Sequence, residues 1–494
     1  MSARPNAAII ARTAEPAGLP GAAILERGLD EAARLPADAI ARIAIPAAVA
    51  PAAALWRIAG DAVLWETRDE PTYPWAAAPA DGHPSAGGLE VAVAGVGVAA
   101  AVSAAGAARF EDIAASGADV LARVVTIGDG PAPRLLGGFA FAPRGSAPTG
   151  SWNAFGDAWF ALPRWTYERR GTAAWLVLAV APPELRDARD RARVHAEHAA
   201  AVAALAEPLA VPRARAEATT DLPRERWTAA IEDIREKIAA GHCRKVVAAR
   251  VRKVELASPV DVAAVLAELG RRHPECTRFG VRRGSAAFVG ASPERLIRRR
   301  GDEVDSEALA GSIARPARAA ATDDQALAIA LLDSAKDRGE HDLVVKAIEQ
   351  GLGPWCRELS MPDTPAVRTL RHVIHLHTPV HGELFAPRHV LALAAALHPT
   401  PAVGGTPTAA ALSWIATHEP AARGWYAAPV GWFDAAGDGE MAVAIRSGLI
   451  DGATATLHAG AGIVRDSDAA AEWAETEVKL RALSGALGLE ETSR

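Results

Sequence analysis

The chain of 494 residues has only three cysteines, Cys243, Cys276 and Cys356, and none of them belongs to a CxxC pair. Such scattered thiols argue against a disulfide framework or a zinc site and are typical of the reducing cytoplasm. The N-terminal residues lack the sustained apolar segment of a signal peptide, which also predicts a cytoplasmic protein.

Basic tracts and long apolar runs are also scarce. With a formal net charge of −6 and no basic tract, the sequence predicts no nucleic-acid partner, and local Lys and Arg residues would have to meet any anionic substrate. The stretch Val91–Ala108 is apolar, but Gly95, Gly97 and Gly106 interrupt it. These glycines favour two strands, or a strand and a turn, over a membrane span. We therefore expect no membrane partner, and we expect a monomer.

Aromatic residues make up only 5% of a chain that is half hydrophobic, so the core depends on alanine and aliphatic side chains. Short β-like runs separated by Gly and Pro dominate an N-terminal half, residues 1–215. The Pro/Arg/Thr-rich stretch 211–223 is the best linker candidate before a second half, residues 216–490. There, helical spacing of apolar residues predicts helices over Arg224–Ala240 and Asp323–Gln350. The mixed order of elements indicates an α+β fold.

The stretch AEWAETEVKL contains three charged residues on one helical stripe, because Glu472, Glu475 and Lys479 stand at i, i+3 and i+7. The neighbouring apolar stripe, which would seat the helix on a core, consists of Trp473, Leu480, Leu483 and Leu487. Two carboxylates aimed one way suit a hard divalent cation, and the lysine suits an anionic ligand. A solvated face with a Glu475–Lys479 ion pair is the simpler interpretation of this stripe taken alone.

A second acid pair, Asp337 and Glu340, lies at i and i+3 on the long predicted helix. Gly339 between them is unfavourable inside a helix by about 1 kcal/mol relative to Ala, which suggests that something close by needs the room. One such pair is again best explained as a charged surface. Two pairs on two helices could together form a carboxylate site for Mg²⁺, which prefers oxygen ligands.

Other polar residues carry signals of different strength. Lys245 begins an apolar strand, where it is either an edge charge or an inward amine; a buried amine is fitted to act as a base. Glu294 follows a strand and a turn, where a partly buried carboxyl could keep its proton and act as an acid. His375 and His377 would share a strand face, more in keeping with core or substrate contacts than with a metal site.

Glycine-containing segments could bring backbone N–H groups close to an oxyanion, although turns without a ligand are the default interpretation. They occur at Gly311–Ser312, Gly404–Gly405 and Gly460–Gly462. None of them matches GxGxxG or a Walker loop, so a nucleotide cofactor is not supported.

Taken together, these motifs resemble the chorismate-utilising enzymes, and among them the isochorismate synthases. The matching runs stand in family order: KVVAAR, FVGASPERL, EALAGS, SAKDRGEH, HLHT, LHPTPAVGGTP, RGWYAAPVGWFDAAGDGEMAVAIRSGLI, HAGAGIV and AEWAETEVKL. They cover roughly residues 224–487, and GGFAFA and LPRWTYERR extend the resemblance upstream. Residues 1–60 match no family pattern, and Gly339 stands where a larger residue is common.

The resemblance implies an α+β fold, an α/β sandwich, in which two large, mainly antiparallel sheets enclose the active site and helices lie outside. It assigns Glu340 and Glu475 to Mg²⁺, with Asp337 and Glu472 close by. It implies a substrate-binding set of Gly311, Ser312, His375, Ala402, Val403, Tyr426, Arg446, Gly460, Gly462 and Lys479.

The implied reaction moves a hydroxyl from C4 to C2 of chorismate, with Lys245 activating water and Glu294 protonating the departing hydroxyl. A base and an acid on opposite sides of the ring suit that chemistry. Lys245 favours this isomerisation over an aminating synthase, and LHPTPAVGGTP favours it over a salicylate synthase; both lyases remain alternatives. The long N-terminal half resembles the menaquinone-type enzymes, and a siderophore pathway is the alternative.

Overall fold

A computed structural model describes residues 19–68, 90–143, 150–316 and 320–489. Within these ranges the chain forms ten α-helices and 23 β-strands. The helices are α1 (Ala22–Ala32), α2 (Arg109–Ala122), α3 (Ala188–Ala206), α4 (Arg224–Ala239), α5 (Val262–Arg272), α6 (Ala321–Asp333), α7 (Ala335–Leu352), α8 (Val390–Leu397), α9 (Thr408–His418) and α10 (Ala469–Ala486).

The strands of the first half are β1 (Ile40–Pro46), β2 (Ala62–Arg68), β3 (Glu90–Val96), β4 (Ala100–Ala104), β5 (Val124–Ile127), β6 (Arg134–Phe139), β7 (Ala158–Leu162), β8 (Trp165–Arg170) and β9 (Ala173–Val180). Those of the second half are β10 (Ala216–Thr220), β11 (Lys245–Leu256), β12 (Thr277–Arg283), β13 (Ala286–Ser292), β14 (Arg295–Arg300), β15 (Glu303–Ala314), β16 (Cys356–Ser360), β17 (Ala366–Thr369), β18 (Val373–Leu384), β19 (Gly405–Thr406), β20 (Pro429–Asp434), β21 (Gly439–Val443), β22 (Ser447–Asp451) and β23 (Thr454–Ile463).

The described strands make two large sheets. The larger, of 13 strands, runs β10-β11-β23-β22-β13-β12-β2-β3-β8-β9-β1-β5, with β19 paired to β11. The smaller, of ten strands, runs β16-β18-β15-β14-β21-β20-β6-β7-β4, with β17 paired to β18. The pairs are antiparallel except for β1 with β5, which run parallel. The predicted fold class is confirmed.

Side chains that alternate along a strand pack the larger sheet against the smaller sheet on one face and against helices on the other. In β2, Val63 and Trp65 belong to an apolar cluster with Leu136 and Trp159 of the smaller sheet, so they face inward. Leu64 between them belongs to the cluster that packs the outer helices α1, α3 and α5 on the larger sheet. Because successive side chains of a strand point to opposite faces, the larger sheet is buried on both surfaces at β2.

Both sheets join the two halves of the sequence. In the larger sheet β2 pairs with β12, and in the smaller sheet β6 pairs with β20. The division near residue 215 stays a prediction. The linker interpretation of 211–223 is wrong for Ala216–Thr220, because these residues form β10 and pair with β11. Within residues 1–60, the described part contributes α1 and β1.

The predicted long helix over Asp323–Gln350 is two helices. Ser334 separates α6 from α7 with an extended backbone, φ −69° and ψ 109°, and its hydroxyl accepts the backbone N–H of Asp337. A serine side chain that caps a new helix competes with continuation of the old one, which periodicity alone does not reveal. The crowding inferred at Gly339 is also wrong, because a Cβ there would meet no atom of the described part of the chain within 4 Å.

Several local predictions are confirmed. The helix predicted over Arg224–Ala240 is α4, and Gly241 after it has φ +78° and ends it as a left-handed cap. The apolar stretch Val91–Ala108 contributes β3 and β4. In the described part of the chain every helix is too short or too polar to cross a bilayer. The three cysteines are buried free thiols.

Candidate active site

A cleft of about 580 Å³, counted out to its open mouth, lies where β11 and β23 of the larger sheet approach β15 and β18 of the smaller sheet. Helices α7 and α10 complete its walls. Its lining consists of Val247, Glu294, Leu309, Ala310, Gly311, Ser312, Glu340, His375, Ala402, Val403, Tyr426, Ala427, Ile445, Arg446, Gly460, Gly462, Glu475 and Lys479. Every predicted site residue therefore lines the cleft except Lys245, Asp337 and Glu472.

Lys245 lies behind this lining, at the start of β11, and its side chain is 0% exposed. Its ammonium nitrogen is 2.8 Å from Oε1 of Glu340, an ionic contact without hydrogen-bond geometry. Gly462 makes room for this pair. A Cβ at Gly462 would stand 2.5 Å from that same oxygen and 2.8 Å from Cε of Lys245. Lys245 is thus the inward amine of the two alternatives.

Glu294 is 3% exposed and follows β13, as predicted. Its backbone N–H donates to the Ser292 hydroxyl, and its carbonyl accepts the N–H of Val443, so both sides of the residue are anchored. Burial, reinforced by the nearby Glu307 carboxylate, raises the pKa of Glu294 from 4.5 to about 8. The carboxyl is protonated at neutral pH and can donate a proton within the cleft.

His375 and Arg446 form a second buried unit. Gly311 has φ +71° at a bulge of β15, and its carbonyl lies 3.3 Å from Nδ1 of His375. A carbonyl only accepts, so Nδ1 holds the proton and Nε2 accepts from Nη2 of Arg446 at 3.0 Å. Burial and the Arg446 charge hold the pKa of His375 well below its ordinary value, which keeps the imidazole neutral. Arg446 itself has φ +54°, a strained conformation for a side-chain-bearing residue.

Glu475 and Lys479 pair on one face of α10, with Nζ 2.5 Å from Oε1. Lys479 also donates to the Gly460 carbonyl at 2.8 Å. Burial of Glu475 favours its neutral form, but Lys479 and the hydroxyl of Ser312 outweigh it and lower the pKa of Glu475. Glu475 and Lys479 of the predicted stripe therefore belong to the cleft wall and not to a solvated surface.

Asp337 and Glu472 have other partners. Asp337 accepts a short hydrogen bond from the Ser334 hydroxyl in the first turn of α7. Glu472 is buried, and its Oε1 lies 3.1 Å from Nζ of Lys336. Neither lines the cleft, and the metal role that was inferred for them stays a prediction.

The remaining wall is organised by Arg423. Its guanidinium donates to the carbonyls of Val403 at 2.7 Å and Val247 at 2.8 Å, which ties the Ala402–Val403 stretch to β11. Tyr426, three residues after Arg423, stacks on His458 with ring centroids 5.0 Å apart. Burial raises the pKa of Tyr426 to about 12, so the phenol is a donor to any anion in the cleft.

The donor set of Glu340 and Glu475 fits Mg²⁺. Both are carboxylates on the cleft wall, from two helices, and Mg²⁺ commonly takes one or two protein carboxylates and completes its shell with waters and substrate oxygens. Over the described ranges, three potential ligand atoms lie within 4.8 Å of one another only at His273, Glu275 and Cys276, none of which lines the cleft. A cage made of protein ligands alone is therefore not what the cleft offers.

Sequence reasoning missed the apolar part of the lining. Val247, Leu309, Ala310, Ala427 and Ile445 carry no chemical signal of their own. Their only mark in the sequence is that each is within two residues of a predicted site residue. Small and aliphatic walls beside a few aimed polar groups are the usual make-up of a small-molecule site.

The sequence is similar to proteins of a known family. Residues 85–488 match the sequence profile of a family described as chorismate binding enzyme. A salicylate biosynthesis isochorismate synthase of Pseudomonas aeruginosa is 42% identical over 366 residues, which cover 73% of this chain and 75% of the relative. Isochorismate synthase MenF of Bacillus subtilis is 38% identical over 369 residues, covering 72% and 75%.

Solved structures extend the match. MenF, the menaquinone-specific isochorismate synthase from Escherichia coli, superposes with a TM-score of 0.73 at 27% identity, covering 94% of this chain and 99% of its own. Anthranilate synthase component I from Streptococcus pneumoniae, at 21% identity and a TM-score of 0.59, shares the fold over 72% of this chain and 82% of its own. The profile match and the identity to these relatives confirm the resemblance seen in the motifs. The chain belongs to the family of chorismate-binding enzymes.

Proposed function

We propose that this chain is an isochorismate synthase, which adds water at C2 of chorismate and releases the C4 hydroxyl with the aid of Mg²⁺. The observation that carries the proposal is a carboxyl that is kept protonated, Glu294, in the same cleft whose wall is backed by a buried amine, Lys245. The isochorismate synthases among its relatives support the same reaction.

Glu294 takes the part of the acid. A hydroxyl is a poor leaving group unless a proton reaches its oxygen as the C–O bond breaks. With a pKa of about 8, Glu294 holds that proton at neutral pH yet gives it up more readily than water does. Its anchored backbone fixes the direction of the transfer.

Lys245 takes the part of the base toward water. Its nitrogen has no hydrogen-bond partner of good geometry among the described residues, so a neutral amine at this position has its lone pair available. The contact with Glu340 must open before the amine can meet the attacking water, because a carboxylate oxygen lies 2.8 Å from the nitrogen. Water attack at C2 then transfers one proton to the amine.

Arg446 and Lys479 provide the positive charge for a dianionic substrate. The guanidinium is held by neutral His375, which leaves its other N–H groups for a carboxylate, and a guanidinium fork matches a carboxylate with two parallel hydrogen bonds. Lys479 uses two of its three N–H groups on Glu475 and Gly460. Tyr426 adds a phenolic donor.

Glu340 and Glu475 would hold Mg²⁺ with the ring carboxylate of the substrate. When bound, the ion neutralises that carboxylate and stabilises charge as the double bonds shift. Removal of the ion by a chelator is expected to abolish turnover, and added Mg²⁺ to restore it.

For the pathway, we infer menaquinone synthesis in the cytoplasm. The match to the menaquinone-specific enzyme extends over 94% of this chain, including the N-terminal half. The salicylate-pathway name of the Pseudomonas aeruginosa relative makes siderophore synthesis the competing assignment. Deletion of the gene is expected to deplete menaquinone; unchanged menaquinone with loss of a catecholate or salicylate siderophore would reverse the assignment.

The reaction class is tested by measuring whether the protein releases pyruvate from chorismate. Purified protein with chorismate and Mg²⁺ is expected to release no pyruvate, with or without ammonium. Pyruvate without ammonium would indicate a salicylate synthase, and an aromatic amine formed only with ammonium would indicate an aminating synthase. Either product would overturn the proposal.

A further inference from the structure

We propose that Glu307 and Arg368 are positioning residues that grip the backbone on both sides of Glu294 and keep its side chain a proton donor. The inference deepens the proposed function and rests on it for the role of Glu294. Neither residue lines the cleft, so they act through Glu294 and not on the substrate.

The grip is made of two hydrogen bonds that flank the acid. The backbone N–H of Arg295 donates to Oε1 of Glu307 at 2.7 Å. On the other side, Nη1 of Arg368 donates to the carbonyl of Pro293 at 2.9 Å. Backbone polar groups immediately before and after Glu294 are therefore held by side chains from β15 and β17.

Glu307 and Arg368 also hold each other. Nη1 of Arg368 lies 2.9 Å from Oε2 of Glu307, and Nε2 of His377 lies 3.0 Å from that oxygen. Glu307 and His377 are buried, and the Arg368 side chain is 16% exposed. These hydrogen bonds fix the orientation of the buried Glu307 carboxylate. The carboxylate in turn holds the backbone next to Glu294 in place.

The same arrangement sets the electrostatics. Burial would raise the pKa of Glu307, but Arg368 and His377 outweigh burial and hold it below its ordinary value, so Glu307 stays an anion at neutral pH. Around Glu294 stand three cations, those of Lys245, Arg446 and Lys479, and each favours loss of its proton. The Glu307 anion is the charge that opposes them.

The chain offers a matched control two residues earlier on the same strand. Asp305 of β15 contacts Nη2 of Arg298 at 2.8 Å and Nδ1 of His381 at 3.0 Å, which repeats the carboxylate–arginine–histidine pattern of Glu307. The Asp305 carboxylate bonds to these two side chains, whereas the Glu307 carboxylate also accepts the backbone N–H of Arg295, next to Glu294. Asp305→Asn therefore removes an equivalent charge without touching the grip.

The test is the titration of Glu294 in the substrate-free full-length protein, followed through the infrared band of its protonated carboxyl. The band is identified by its loss in Glu294→Gln. In Glu307→Gln, which keeps an oxygen to accept the Arg295 N–H, we expect about tenfold lower proton affinity of Glu294, and no change in Asp305→Asn. An unchanged titration in Glu307→Gln, or an equal shift in both variants, would overturn the inference.

Kinetics provide the second measurement. With chorismate, Glu307→Gln is expected to lower kcat about tenfold or more with little change in KM, and to move the high-pH limb of kcat/KM to lower pH. Arg368→Ala should lower kcat by a similar factor. Arg368→Lys should restore part of the rate, because it keeps the charge beside Glu307 but loses the hydrogen bond to the Pro293 carbonyl. A change in KM alone, or a lower melting temperature with unchanged kcat, would contradict a positioning role for Glu307 and Arg368. If wild-type protein leaves chorismate unchanged, the proposed function fails while the infrared titration still decides this inference.

Discussion

The ammonium nitrogen of Lys245 lies 2.8 Å from a carboxylate oxygen of Glu340, with Gly462 packed against both side chains. The residue proposed as the base and a residue proposed to hold the metal are thus in direct contact. In the proposed mechanism this contact would couple proton transfer to occupancy of the metal site, because whatever draws Glu340 away from Lys245 alters the charge beside the amine.

Lys245→Ala is expected to lower kcat by roughly 10²- to 10⁴-fold, the range typical of a lost general base, while chorismate still binds. Steady-state kinetics and calorimetric binding measure the two effects separately. Lys237→Ala is the control, since Lys237 pairs with Asp233 in a surface contact of 2.9 Å. Ordinary turnover by Lys245→Ala would remove Lys245 from the reaction.

Glu340→Ala and Glu475→Ala are each expected to raise the Mg²⁺ concentration for half-maximal rate by about tenfold or more, because a hard cation loses one of few protein oxygens. The measurement is a Mg²⁺ titration of the initial rate. Glu477→Gln is the matched control on α10, since Glu477 pairs with Arg250 and Arg252 outside the cleft. Identical Mg²⁺ titrations for all three variants would contradict the metal assignment.

Gly462→Ala is expected to lower kcat about tenfold or more, because its methyl group would stand 2.5 Å from the Glu340 oxygen and force the Lys245–Glu340 pair apart. Gly339→Ala is the matched glycine control. Its methyl group would meet open space within α7, so we expect unchanged kcat and about 0.5–1 kcal/mol of added stability. Kinetics and denaturant unfolding of both variants check this, and equal kcat values would refute a crowded site at Gly462.

The free energy of unfolding of Glu294→Gln is expected to rise relative to that of wild type as pH rises. The folded state holds the Glu294 proton up to about pH 8, whereas the unfolded chain releases it near 4.5, so wild-type stability falls between these values. Gln cannot titrate, and the stability gap should widen by about 2 to 3 kcal/mol from pH 5 to pH 7.

Denaturant unfolding at the two pH values measures that gap. Glu268→Gln serves as the control. Arg271 lowers the pKa of Glu268 in the folded protein, so this carboxyl is largely ionised above pH 5 in both the folded and the unfolded chain. Its gap to wild type should therefore be the same at pH 5 and pH 7. A gap for Glu294→Gln that also stays constant would show that Glu294 is ionised in the folded protein.

Local patterns predicted the parts of the fold that depend on neighbours in sequence. The apolar stripe of α10 is buried as its spacing indicates, with Trp473 and Leu480 among its members, and Gly241 ends α4 in the left-handed conformation. The same periodicity failed at Ser334, where a side-chain cap outcompetes a continuous helix. The spacing of apolar residues alone does not reveal such a hydrogen bond.

The candidate site was predictable mainly through its motifs, which mark residues by chemistry and by family resemblance. The support around Glu294 was not, because Arg368 meets Glu307 across 61 positions of sequence and only through the pairing of β15 and β17 with β18. One signal was available: Glu307 is a charged residue in an otherwise apolar run, EALAG. A buried charge in a strand requires partners, and the sequence does not name them.

The measurement that bears most directly on the central claim is chromatography of chorismate incubated with the protein and Mg²⁺, with and without an added isochorismatase. We predict a chorismate–isochorismate equilibrium that is reached from either side, no pyruvate until isochorismatase is present, and conversion slowed by roughly 10²- to 10⁴-fold in Lys245→Ala and Glu294→Gln. Chorismate that remains unchanged, or pyruvate and salicylate formed by the protein alone, would contradict it.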